Sequence, residues 1–294
     1  MRTLRSDAGQ GALESSRAEL PPVAALGSTA ASSGGATALL RRWHVIARTQ
    51  LRLSWRNVED LLPVMVMPLL TFASMAIFLD AGRLDLIGHA LTACTLITVG
   101  QMGFFVGSEL VSADRRDQLL ELMVAVPTAY SITLAIRVAV ITALGLLGVA
   151  EGWLIVRVIF GVRVLVAHPG VLLLTLLSSV AAASGTAILF SALFGLARTT
   201  RTFQHAMNGP LYLLGGVLVP ITFLPRWLQI FSPFTFFYWS AGLLRDSFRA
   251  GEVDRLWLRL GIVAAFGVLF GAIGIAVVSR MLYRLRRDGA LGLT

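Results

Sequence analysis

Apolar runs of membrane-spanning length recur along this sequence, and they constrain its fold more than any other feature. A transmembrane helix needs about 20 consecutive, mostly apolar residues, and such runs begin near Leu61, Ile132 and Leu258, among other places. Charged residues make up 14% of the 294 positions, whereas a soluble globular protein has about a quarter. The sequence therefore predicts an all-α integral membrane protein.

Charge placement decides the number of spans. A seventh span is conceivable because the apolar stretch from His205 to Phe248 is long. It would put the arginines of the carboxy-terminal tail outside, although basic residues are enriched in cytoplasmic segments. We therefore expect six spans, with both termini in the cytoplasm. The predicted spans are Leu61–Leu79, Ile87–Val106, Ile132–Ala150, Val171–Leu196, Met207–Phe223 and Leu258–Val278.

Glycines and prolines interrupt the helical pattern after the start of the fifth span. They include Gly215, Gly216, Pro220, Pro225 and Pro233. Broken backbone is tolerated at membrane depth only where protein or a water-lined cavity covers it. We expect residues 224–248 to form short helices that dip back into the membrane from the outer surface.

The regions outside the spans follow from their composition. Residues 1–38 are rich in Ala, Gly and Ser, which predicts a disordered cytoplasmic tail. Residues 39–60 predict an amphipathic interfacial helix, because arginines such as Arg48 and Arg52 share one face and Trp43 lies on the other. The transmembrane domain then covers residues 61–287, and residues 288–294 form a cytoplasmic end.

The residues that most enzymes depend on are missing. All 25 basic residues are arginine, so a phosphate-binding loop with its lysine cannot be present. The four histidines lie on separate segments, and Cys94 is the only cysteine. We expect no catalytic, cofactor-binding or metal-binding residue on this chain. The net charge of +9 comes from arginines that flank the apolar runs, where they meet lipid headgroups rather than nucleic acid.

Two minor features give further expectations. Ionisable residues are rare in the spans, and we expect Glu151 to form an interfacial ion pair with Arg157 rather than to act in ion coupling. Small-residue pairs at helical spacing can seat a neighbouring helix. Gly267 with Gly271 is one such pair, and Gly145 with Gly148 is a looser one.

A charged segment follows the second span. Its charges alternate in sign and its leucines give it an apolar side, so it can dock in a groove of a soluble partner, although a solvated loop stays an alternative. Glu109 lies at the inner end of the second span. The residues proposed to contact the partner are Asp114, Arg115, Arg116, Asp117, Leu119, Leu120 and Glu121.

The predicted outer segment is dense in aromatic residues. Eight of them lie between Phe223 and Trp239. They suit either an interfacial aromatic belt or an apolar lid over a pathway, and both interpretations stay open. The candidate gate residues are Phe223, Pro225, Trp227, Phe231 and Pro233.

These two segments resemble the permease subunits of ABC-2 type exporters, including drug-resistance efflux permeases. The stretch ELVSADRRDQLLELMVAVP (109–127) is similar to the first cytoplasmic loop of that family, except that Asp117-Gln118 replaces the usual Gly-Thr. The stretch LYLLGGVLVPITFLPRWLQ (211–229) is similar to its fifth span and outer re-entrant helices. The resemblance covers about residues 39–287.

The resemblance implies a function for the whole chain. It implies the membrane half of an exporter that moves a small hydrophobic drug or a lipid-like substrate out across the bacterial plasma membrane. ATP and Mg²⁺ would then bind to a separate ATP-binding cassette subunit that contacts residues 109–127. It further implies a second permease copy or a sister permease as partner, beside membrane lipids. A secondary transporter and a non-transporting membrane scaffold are the alternatives.

Overall fold

The computed structural model of the chain describes residues 35–82, 86–117, 130–194, 207 and 209–288. These residues are mostly helical and include no β-strand. The expected all-α class is therefore confirmed for the described part of the chain. The helices are α1 Gly35–Arg56, α2 Val58–Asp80, α3 Ile87–Gln101, α4 Ser108–Arg116, α5 Tyr130–Leu144, α6 Leu147–Leu154, α7 Pro169–Phe194, α8 Arg226–Gln229, α9 Phe236–Phe248 and α10 Leu256–Asp288.

The chain divides into two units, Met1–His44 and Val45–Thr294. Residues 35–44 of the first unit are the helical start of α1, which begins four residues before the predicted position. The second unit contains the rest of α1 and all the other helices. In it, Gln50 and Ser54 are buried, whereas the neighbouring arginines of α1 are exposed.

Five described helical segments are long and apolar enough to cross a membrane. All five begin within three residues of a predicted span, whereas the second ends ten residues and the third nine residues beyond the predicted end. The segments are Val58–Asp80, Ile87–Arg116, Tyr130–Ile159, Pro169–Leu193 and Leu256–Arg284. Residues 58, 116, 130 and 194 lie at one end of the bundle, called here the proximal end, and residues 80, 87, 159 and 169 lie at the opposite, distal end.

The second span does not end at Val106, as the sequence predicted. The helix continues through a π-helical turn at Met102–Gly107 and then through α4 to Arg116. A π-helical turn leaves carbonyl groups without their usual partners. Ser191 of α7 donates to the carbonyl oxygens of Gly107 and Ser108, at 3.2 and 3.0 Å. This contact satisfies the free carbonyl groups of the turn inside the bundle. The helix can therefore continue beyond the turn into the charged residues of α4.

Helices α7 and α10 run parallel and pack with their backbones in contact. A Cβ added at Gly267 would lie 2.8 Å from the carbonyl carbon of Ala181, and one added at Gly274 would lie 2.6 Å from the nitrogen of Leu189. A Cβ added at Gly271 would lie 3.5 Å from the Cα of Gly185. The expectation that Gly267 and Gly271 seat a neighbouring helix is confirmed. Small residues serve this role because they let two helices approach closely.

The second small-residue pair is confirmed as well. A Cβ added at Gly145 would lie 2.6 Å from the Cα of Val99, and one added at Gly148 would lie 2.5 Å from the Oγ1 of Thr98. Both glycines therefore seat α3 against the junction between α5 and α6.

Between α7 and α10, the described residues run towards the distal end as several short segments rather than as one helix. Residues 209–214 are helical, and a turn follows at Gly215 and Gly216, the latter with a φ of +63°. Gly216 suits this turn because glycine adopts positive φ without steric cost. The helix therefore stops well before Phe223, where the sequence predicted the fifth span to end. No single described helix makes this return, so the count of six spans stays a prediction.

Helix α9 makes the second part of this return inside the bundle. The ring of Phe237 lies 6.0 Å from that of Phe104, near the middle of the second span. At the other end of α9, a Cβ added at Gly88 would lie 3.5 Å from Phe248. The helix therefore runs antiparallel to α3, and Ser240 accepts a hydrogen bond from Ser179 of α7 at 2.9 Å. The re-entrant path predicted for residues 224–248 stays a prediction.

Replacing Gly267 by Ala should destabilise the protein by about 1–3 kcal/mol, the usual cost of overpacking. The added methyl group would meet the backbone of Ala181, which cannot rotate away. The measurement is thermal unfolding of the purified protein in detergent. Gly261→Ala on the same helix is the control, because nothing lies within 4 Å of its Cβ position. Equal melting temperatures for the two variants would contradict the packing described here.

Candidate coupling site

The proximal end of the bundle contains a buried carboxylate. Asp114, on the last turns of α4, is only 2% exposed. Its Oδ2 accepts a hydrogen bond from the hydroxyl of Tyr130 at 2.8 Å and one from Nη1 of Arg137 at 2.6 Å. Both donors belong to α5. One carboxylate oxygen therefore joins the helix that precedes residues 117–129 to the helix that follows them.

Arg137 extends these contacts to α1. Its Nε donates to Oε1 of Gln50 at 2.8 Å, and the amide nitrogen of Gln50 donates to the hydroxyl of Ser54 at 3.2 Å. Gln50 and Ser54 are one helical turn apart, so both face the bundle. We call the five residues Gln50, Ser54, Asp114, Tyr130 and Arg137 the Asp114 clamp. The clamp connects α1, α4 and α5 at one point.

Burial determines how strongly these groups depend on one another. The side chain of Arg137 is 13% exposed and that of Asp114 is 2% exposed, so neither charge is well solvated. Removing one partner from a buried ion pair is costly because it leaves the other charge uncompensated. The second ion pair on α4 differs: Glu109 and Arg116 are 3.8 Å apart, and the arginine side chain is 59% exposed. Such a surface pair contributes little to stability.

The predicted partner-contacting residues divide into three groups. Arg115, Arg116 and Asp117 are exposed at the proximal end. Asp114 is not on this surface, because its carboxylate points into the clamp. Asp114 therefore offers no exposed surface in this arrangement, and its contact with a soluble partner stays a prediction. Leu119, Leu120 and Glu121 lie outside the described residues.

The predicted gate residues lie together on an exposed surface. Phe223, Trp227 and Phe231 are exposed, as are Pro225 and Pro233. The aromatic residues further along behave differently: Phe236 and Phe237 are buried in the bundle, with their ring centroids 4.1 Å apart. The aromatic segment is therefore exposed in its first half, whereas its second half combines the buried Phe236 and Phe237 with the partly exposed Tyr238 and Trp239.

Glu151 does not pair with Arg157. Its Oε2 is buried and has no hydrogen-bond partner among the described residues, and Arg157 is exposed. The two residues are six positions apart in a helical segment, which places them on different faces of that helix. The expected ion pair is therefore wrong.

Sequence reasoning missed four members of the clamp, Gln50, Ser54, Tyr130 and Arg137. One signal could have pointed to Arg137: an arginine within an apolar run is expensive unless it is paired inside the protein. No comparable signal exists for Gln50, which looks like any polar residue on an amphipathic helix. Among the described residues, no group of three His, Cys, Asp or Glu side chains could hold a metal ion.

The helical bundle and its apolar spans define a multi-pass membrane protein with a charged cluster at one end. Comparison with known families identifies it further. Residues 41–248 match the family model described as ABC-2 type transporter. The chain therefore belongs to the ABC-2 type transporter family and is a permease subunit of an ABC transporter, which implies association with an ATP-binding cassette subunit. No curated protein matches the chain.

Replacing Arg137 by Met should lower the free energy of unfolding by about 3–5 kcal/mol, because it leaves Asp114 buried without its cation. The double variant Asp114→Leu with Arg137→Met should be more stable than Arg137→Met alone. Both can be measured by chemical or thermal unfolding in detergent. The control is Arg116→Met, which removes an exposed ion pair and should cost about 0–1 kcal/mol. A loss for Arg137→Met no larger than that of the control would refute the clamp.

Proposed function

We propose that this permease belongs to an ATP-driven exporter and that the Asp114 clamp transmits movement from the ATP-binding subunit to the spans. The hydrogen bond between Asp114 and Tyr130 is the observation that carries the proposal. It joins the two helices that flank residues 117–129, the segment expected to contact that subunit. A force applied to this segment would therefore act on α4 and α5 together.

Movement of α4 and α5 would also reach α1. The contact between Arg137 and Gln50 joins them, so α1 would tilt in the membrane interface when the two spans shift. Coupling of this kind needs a contiguous set of packed or hydrogen-bonded groups with two arrangements. In our proposal, ATP binds together with Mg²⁺ only to the partner subunit, and hydrolysis of the ATP resets the arrangement.

The proximal end is then the cytoplasmic end. This orientation puts the exposed Arg115, Arg116 and Asp117 on the cytoplasmic side, together with both termini, and it agrees with the enrichment of basic residues there. The proposed location is the plasma membrane of a bacterium.

Helix α2 suits a contact with a second permease chain. Its apolar residues point away from the bundle: Met65 is 61% exposed and Leu69 is 68% exposed. Only 18% of the most apolar part of α2 is buried within the chain. We propose that a second copy or a sister permease covers part of this face and lipid covers the rest. The transported substrate is then a small hydrophobic drug or a lipid-like molecule, as the scarcity of ionisable residues in the spans suggests.

Changing Leu119 and Leu120 together to Asp should abolish export driven by ATP, because it removes the apolar side of the segment expected to enter the groove of the ATP-binding subunit. Two measurements are needed: copurification of that subunit in mild detergent, and ATP-dependent substrate movement from inside-out vesicles. Membrane insertion should be unchanged. If the unmodified chain copurifies with no ATP-binding subunit, the exporter proposal fails.

Replacing Tyr130 by Phe should reduce the amount of substrate moved for each ATP hydrolysed, since α5 would lose one of its two bonds to Asp114. The protein should still fold, because a single hydrogen bond contributes about 1 kcal/mol. Tyr212→Phe is the matched control: this buried tyrosine also loses a hydrogen bond, to the carbonyl of Ile97 at 3.3 Å, but lies away from the clamp. An equal transport-to-ATPase ratio in the two variants would contradict the assigned role.

A further inference from the structure

Two cavities adjoin at the distal end of the bundle, opposite the Asp114 clamp. One, of about 410 Å³, lies between α3, α6, α7 and α9. The other, of about 290 Å³, lies beside it between the start of α3, residues 163–165 and the end of α9. Phe248 lines both of them, so the two cavities lie side by side with this side chain at their common border.

The smaller cavity is cationic. Arg163, Arg245 and Arg249 line it, and no acidic residue in the described part of the chain does so. The carboxylate nearest in sequence, that of Asp246, is engaged elsewhere by Nη1 of Arg259 at 2.6 Å. Arg163 and Arg249 are exposed and Arg245 is half-buried. Three positive charges around one space attract an anion to it.

Arg245 gives a second, independent sign that an acceptor is missing. Its terminal nitrogen Nη2 donates to the carbonyl oxygen of Gly216, which fixes the side chain in place. Its Nε is buried and has no hydrogen-bond partner among the described residues. Buried donors are nearly always satisfied by protein, water or ligand. A planar guanidinium of this kind suits a phosphate or carboxylate oxygen.

The larger cavity is apolar. Leu91, Leu172 and Leu176 line it, together with Trp153 at its side. The hydroxyl of Thr92, one of its few polar groups, donates to the carbonyl of Gly88 in its own helix at 2.7 Å. The volume lies within the range of about 300–1,000 Å³ that is usual for ligand sites. Such a space favours a hydrocarbon chain over water.

From these two adjoining cavities we propose a binding site for one anionic membrane lipid. Its phosphate lies among Arg163, Arg245 and Arg249, and part of one acyl chain fills the apolar cavity. The lipid would come from the membrane leaflet at the distal end. Basic pockets between transmembrane helices recognise lipid headgroups by this combination of charge and apolar surface. The site does not depend on the proposed export function, because the lipid needs no transport to bind.

The test measures lipid binding to the full chain in a neutral maltoside detergent, by native mass spectrometry and without an ATP-binding subunit. Phosphatidylglycerol should bind at least 10-fold more tightly than phosphatidylcholine with the same acyl chains. The variant Arg163→Gln with Arg249→Gln should lose at least 10-fold in affinity for phosphatidylglycerol. Arg245 is left unchanged because it also holds the backbone at Gly216.

The control variant, Arg157→Gln with Arg226→Gln, removes the same charge from two exposed arginines that do not line the cavities. Its affinity should stay within twofold of the parent chain. Ala150→Phe places a ring in the apolar cavity and should also weaken phosphatidylglycerol binding. Inorganic phosphate at the same concentration should not displace the lipid.

Four outcomes would overturn the proposal. They are equal binding of the two lipids, unchanged affinity in the variant without Arg163 and Arg249, unchanged affinity in Ala150→Phe, and displacement by inorganic phosphate. The last would indicate a site for a free anion only. Melting temperatures of all variants, measured in the same detergent, separate a lost site from a lost fold.

Discussion

A polar group in the interior of a bilayer must find its partner within the protein, because no water is there to supply one. The rest of the structure depends on how this constraint is met. At the proximal end, the carboxylate of Asp114 is satisfied by Tyr130 and Arg137. Half-way along the second span, the carbonyls freed by a π-helical turn are satisfied by Ser191. Each solution also joins two spans, so the same bonds that make burial possible fix how the spans are arranged.

The spans were largely predictable because bilayer thickness sets the length of an apolar run. All five described spans begin within three residues of the predicted positions, and two of them, Val58–Asp80 and Pro169–Leu193, also end within three residues of the predicted ends. The end of the second span was not predicted, because the charged residues after Val106 suggested that the span ends there. A helix can continue through such residues when its carboxylate has buried donors, and that information lies on α5, far away in the sequence. The broken return between α7 and α10 was indicated by Gly216 and Pro220, although the point where the helix stops was not.

The candidate site was predictable only in its exposed part. The run of charged residues from Arg115 to Asp117 marks a surface segment, and these residues are exposed in the structure. Whether they contact a partner stays a prediction. Asp114 belongs to the same run of charges, yet it lies inside. A one-dimensional pattern cannot separate it from its neighbours, because its burial depends on Arg137, Tyr130 and the position of α1. Glu151 shows the opposite error. Its closeness to Arg157 in the sequence suggested an ion pair, but helix geometry places the two side chains on different faces.

The close packing of α7 against α10 limits which movements the bundle can make. Sliding one of these helices along the other would drive a side chain of α10 against the backbone of Ile188 and Leu189, where only a glycine such as Gly274 fits. Packed surfaces of this kind move as rigid bodies and accommodate little shear. The two helices therefore form a fixed frame, against which α2 can shift, because it packs on α3 and α6 rather than on the frame. Any conformational cycle of this protein has to take place around that frame, with the largest displacements in the helices that share the fewest backbone contacts with it.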